Sequence, residues 1–88
     1  MTYYEYAGEM QELCFKISQA QKVLGETGLY DFYYATSTGF EELREKMSVE
    51  EADRFINKDQ EETLENTGAY LKEVQTEATA RLDQEVTA

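Results

Sequence analysis

The chain has 88 residues, enough for one domain and too few for two. Hydrophobic residues make up 41% and charged residues 31%, a globular balance that excludes wholesale disorder. Asp and Glu number 19 against 8 Lys and Arg, a net charge of −11 that argues against direct binding to nucleic acid or to an anionic membrane surface, both of which draw on Lys and Arg.

A single cysteine, Cys14, rules out an intramolecular disulfide, and the absence of histidine removes the commonest general base and metal ligand. No run approaches the roughly 18 apolar residues of a membrane span. The opening Met-Thr-Tyr-Tyr-Glu-Tyr carries neither the basic nor the apolar region of a signal peptide, so a cytoplasmic location is expected.

With no proline and five glycines, long helices are permitted almost throughout. In residues 3–24, Tyr3, Tyr6, Ala7, Met10, Leu13, Cys14, Ile17, Ala20, Val23 and Leu24 recur at steps of three and four, the signature of one buried helix face. Gln11, Lys16, Gln19 and Lys22 fall on the wetter side. Thr2 and Glu5 can close a capping box, and Gly25 suits the left-handed position beyond the helix end.

The segment Gly28–Phe40 holds five of the chain's 11 aromatic residues and looks like a hub for the longer segments around it. Tyr30, Tyr33, Phe40, Leu43 and Met47 have helical spacing. Leu29–Tyr34 has strong β propensity as well, but no second strand-like run exists to pair with it. The expectation is a helix over 28–47, interrupted near Thr36 to Gly39, with Thr38 and Glu41 opening its second piece. From Ser48 and Glu51, another candidate box, the stripe resumes through Val49, Ala52, Phe55 and Ile56, then Leu64, Leu71, Val74, Ala78, Leu82 and Val86. It lapses at 57–62, and Gly68 is a second weak point. The expected fold is all-α, one domain over 1–88: a small bundle of three to four helices at about 3–24, 28–47, 49–66 and 68–86.

Little catalytic chemistry is on offer. Cys14 lies inside the first stripe and reads as a small buried hydrophobe. Metal-carboxylate bundles typically use Glu-x-x-His, and the histidine is missing. Residues 57–65 lack the central glycine of a calcium loop. No phosphate-binding glycine loop is present. A non-enzymatic protein without cofactor or metal is therefore expected.

The acids carry the functional signal. In helices, Glu5 and Glu9, Glu41 and Glu45, Glu61 and Glu65, and Glu73 and Glu77 are like-charge pairs one turn apart. Opposite pairs are available at Glu12–Lys16, Glu42–Lys46, Glu50–Arg54 and Glu77–Arg81. From Glu41 to Glu65, however, ten acids face four bases. Carboxylates four residues apart stand about 6 Å apart along the axis, comparable to phosphate spacing on a nucleic-acid strand. Among the tyrosines, Tyr4 and Tyr34 fall off the stripes and are candidates for contact with a partner. The expected partner-binding set is Tyr4, Glu5, Glu9, Tyr34, Glu41, Glu45, Asp59, Glu61, Glu62 and Glu65. Its expected partner is a basic protein, such as a nuclease or another nucleic-acid-binding complex. In size and charge the chain resembles phage-encoded inhibitors of bacterial defence nucleases. In its amphipathic segments around an aromatic, glycine-containing centre it also resembles the ESX-type WXG100 helical hairpins. That likeness implies a structural or secretion partner and admits a homodimer. The motif departs from that family: there is no Trp, Thr38-Gly39-Phe40 stands at the turn, and Tyr70–Val74 lacks the acid four residues after the tyrosine.

Overall fold

The structure, a computed structural model, describes residues 1–87, with side chains described through Glu85. It is an all-α bundle of four helices: α1 (Tyr3–Val23), α2 (Thr27–Lys46), α3 (Val49–Asp53) and α4 (Lys58–Thr87). The side chain of Val86, last in the expected stripe, lies outside the described residues.

Helix α1 begins and ends where its sequence directs. The Thr2 hydroxyl accepts from the Glu5 backbone N–H, and the Glu5 carboxylate accepts from the Thr2 N–H at 3.0 Å, completing the capping box. At the other end Glu26 N–H donates to Gln21 C=O at 2.9 Å and Gly25 N–H to Lys22 C=O at 3.1 Å. This paired closure requires a left-handed residue, and Gly25 supplies φ +75°.

Helix α2 corrects the interrupted helix expected near Thr36 to Gly39: it is continuous over Thr27–Lys46. Thr36 and Thr38 donate their hydroxyls to the carbonyls of Phe32 and Tyr34 within the helix, so Thr38 caps nothing. A mid-helix glycine costs about 1 kcal/mol. Packing on both sides of Gly39 offsets this. Ser37 is buried and donates to the Gln11 carbonyl at 3.0 Å, and the Phe40 ring meets Tyr6 edge-on at 6.2 Å.

The expected helix at 49–66 is likewise corrected. Ser48 caps α3 through the Glu51 N–H at 3.1 Å, but the chain turns extended at Arg54. There it pairs with the N-terminus: Tyr3 N–H donates to Arg54 C=O at 2.7 Å and Ile56 N–H to Met1 C=O at 3.1 Å. A new helix then starts at a box that a search confined to Ser and Thr overlooks. Asn57 Oδ1 accepts from Gln60 N–H at 2.9 Å, and Gln60 Oε1 accepts from Asn57 N–H at 3.0 Å. Val49 and Phe55, placed on the buried stripe from sequence, are 78% and 74% exposed. Helix α4 runs without a break through Gly68, which has open space around it.

The N-terminus lies beside Ile56 and Ala20 packs with Ala78, so α1 and α4 run parallel and α2 returns antiparallel between the ends of α1. Helix α1 packs against each of the other three. It supplies Tyr6, Ala7, Met10, Cys14, Ile17 and Ala20 to the core, and α4 adds Leu71, Val74 and Ala78. Helix α2 fully buries only Ser37 among the described residues. The hub is therefore α1 and not the aromatic segment 28–40. Tyr33 and Phe40 lean in to cover Tyr6, Met10 and Cys14, while Phe32 stands 61% exposed. Tyr33 stacks on Tyr70 at 5.8 Å, bridging α2 to α4. Among the described residues no helix is long and apolar enough to cross a membrane.

Candidate functional site

An open groove of about 450 Å³ lies between α1 and α2, and no described residue of α4 lines it. Its α1 wall is Gly8, Gln11, Glu12 and Phe15; its α2 wall is Tyr34, Ser37, Thr38, Glu41 and Arg44. Helical periodicity builds both walls, since steps of three and four put these residues on the stripe next to the core face. Ser37 sets the groove's depth by letting α2 approach the α1 backbone.

Arg44 closes one end. Its guanidinium lies over the Tyr4 ring at 4.7 Å, donates to Tyr4 Oη at 3.2 Å and to Gln11 Oε1 at 3.1 Å. A side chain on Gly8 would sit 3.3 Å from Arg44 Cζ, so glycine there lets the guanidinium lie against α1. Arg44 Nε is buried without a hydrogen-bond partner among the described residues, an unfavourable arrangement offset by the other two bonds and the ring contact.

The end of the groove opposite Arg44 is aromatic. Phe15 and Tyr34 are 46% and 48% exposed, with ring centroids 6.4 Å apart. Tyr30 extends the row at 5.8 Å from Tyr34. Glu12 and Glu41 line the groove between this platform and Arg44; Glu12 is ion-paired to Lys16 at 3.0 Å, and Glu41 has no ion pair among the described residues.

The residues expected at a partner surface divide among three places. Tyr34 and Glu41 line the groove, and Tyr4 stands at its end, its ring occupied by Arg44. Glu45 is one turn beyond Glu41, and Glu9 is an exposed α1 residue. Glu5 serves the α1 cap, and its hydrogen bonds from the Thr2 backbone and side chain hold its pKa below the ordinary value of 4.5. Asp59, Glu61, Glu62 and Glu65 are exposed on α4, which contributes nothing to the groove. Asp59 and Glu61 occupy the first turn of α4, where the helix dipole favours negative charge. Of the four opposite-charge pairs available, only Glu12–Lys16 closes among the described residues.

Phe15, Glu12 and Arg44 line the groove but were not among the residues expected at the partner surface. The available signal was Phe15, an apolar residue on the wet side of the α1 wheel. Cys14 is buried, and burial raises its thiol pKa, which suits a packing role. Among the described residues no group of three or more Cys, Asp or Glu converges to hold a metal ion. No family model, curated protein or solved structure matches the chain.

Proposed function

We propose that this protein is a non-enzymatic interaction module whose acidic helical surface engages and blocks a basic partner, one that itself binds nucleic acid. The reading is carried by one observation. With a net charge of −11, the exposed carboxylates Glu9, Glu41, Glu45, Asp59, Glu61, Glu62 and Glu65 have no ion pair among the described residues. Uncompensated charge of one sign steers association with a partner of the other and opposes self-association. Pairs such as Glu61 and Glu65, about 6 Å apart along a helix, present negative charge at an interval a phosphate-binding groove can accept.

The test is competition. The purified protein is titrated into a complex of labelled duplex DNA with a basic DNA-binding protein recovered with it from the native host, at low and at high salt. Displacement of the duplex is expected, weakening steeply as salt rises. Replacing Glu61, Glu62 and Glu65 together by Gln should weaken displacement and flatten its salt dependence. Binding that is independent of salt and unaffected by that triple change would sink the proposal.

A further inference from the structure

Five tyrosine rings of α1 and the first half of α2 are in reach of solvent: Tyr4 and Tyr34 are exposed, while Tyr3, Tyr30 and Tyr33 are partly buried, Tyr33 being stacked on Tyr70. Three carry a cation from this chain. Arg54 lies over Tyr3 at 4.9 Å, Arg44 over Tyr4 at 4.7 Å and Lys22 over Tyr30 at 5.7 Å. Tyr34, the most exposed tyrosine among the described residues, has none. Its ring forms a platform with Phe15 at one end of the groove, whose walls also carry the carboxylates of Glu12 and Glu41.

From this pattern we infer that the Phe15–Tyr34 platform is the seat for an arginine side chain of the partner. The inference rests on the proposed function and names the contact at its centre. An aromatic face attracts a cation within about 6 Å of its centroid, and arginine adds planar stacking on the ring. Glu41 stands on the same wall two turns from Tyr34, with its carboxylate unpaired among the described residues, and Glu12 stands one turn from Phe15 on the facing wall, so the groove leading to the rings carries negative charge that attracts a guanidinium. Arg44 already fills one end on Tyr4, which leaves the aromatic end as the open position. A second copy of this chain is a poor occupant, because each copy carries a charge of −11.

The experiment uses the intact 15N-labelled protein and three alanine-based helical peptides of one length. They carry arginine, lysine or neutral citrulline at the same positions, four residues apart. The arginine peptide should shift the amide signals of Phe15, Tyr34, Thr38 and Glu41 in a saturable way. It should bind more tightly than the lysine peptide, and the citrulline peptide should not bind. Tyr34→Leu and, separately, Glu41→Gln should each weaken the arginine peptide about three- to five-fold, with helicity and thermal midpoint checked by circular dichroism. Three results would overturn the inference: arginine and lysine peptides of equal affinity, shifts centred on Asp59 to Glu65, or no effect of either substitution. If the Glu61, Glu62 and Glu65 triple change weakens the arginine peptide and Tyr34→Leu does not, the groove inference falls while the acidic-surface reading stands. If none of the peptides binds at low salt, both fall.

Discussion

The hydrogen bond from Gln21 Nε2 to Tyr70 Oη, 2.8 Å long, is the main polar tie between α1 and α4, and it yields a sharp stability prediction. Gln21 is 3% exposed, so its amide has little access to water. Tyr70→Phe removes the acceptor while keeping the ring that stacks on Tyr33. It leaves a buried donor unmet, at about 1–3 kcal/mol. For a small domain with total stability of about 0.05–0.15 kcal/mol per residue, that is a large share. A loss near 2 kcal/mol should lower the thermal midpoint by about 8–16 °C. Gln21→Leu in the Tyr70→Phe background removes the stranded amide, so the double variant should be more stable than Tyr70→Phe alone. The coupling between the sites should be about 1 kcal/mol or more. Urea unfolding followed by helical ellipticity measures all four proteins of this cycle. A Tyr70→Phe cost below about 0.3 kcal/mol, or strict additivity of the two changes, would refute the reasoning.

Three further outcomes are expected. Ile17→Ala, at a fully buried position where α1 meets its neighbours, should cost about 3–4 kcal/mol in urea unfolding, the upper range for an aliphatic truncation in a core that cannot collapse around it. Gly68→Ala places its methyl in open space inside a helix and should add about 0.5–1 kcal/mol, whereas Gly25→Ala, at φ +75°, should destabilise by a similar amount; thermal melts of the two separate these signs. Burial raises Cys14, Tyr6 and Tyr33 above their ordinary values of 9.0, 10.0 and 10.0, so the unfolded chain releases these protons first. Stability from this source is complete below about pH 9 and lost as pH climbs through the raised folded values; urea midpoints between pH 8 and 11 should fall, and Cys14→Ala should remove the earliest part of that fall.

The beginning and end of α1 were legible in the sequence because they depend on neighbours within one turn. Thr2 with Glu5, and Gly25 with its positive φ, do in the fold what their residue types allow. The stripe Tyr6, Met10, Cys14 and Ile17 was legible for the same reason, since helical periodicity is local. Tyr34 and Glu41 could be named as surface residues from their phase on the α2 wheel. Their meeting with Phe15 and Glu12 could not, because it depends on which face of α2 the buried Ser37 turns toward α1.

Continuity through Gly39 and Gly68 was also a tertiary decision. A glycine weakens a helix by about 1 kcal/mol, and only packing of the flanking turns determines whether the helix survives it. The location of the hub was decided in the same way. Aromatic density pointed to residues 28–40, but the core belongs to the helix that touches all the others. That helix is α1, because the Met1–Ile56 and Tyr3–Arg54 pairings bring the chain back beside its own start and lay α4 along α1. With α1 covered by α2, α3 and α4, much of the aromatic surface of α2 was left facing outward. Charge and helical phase were properties of the sequence alone. The pairing of faces, and with it the open platform of Phe15 and Tyr34, came from long-range contacts that no local pattern encodes.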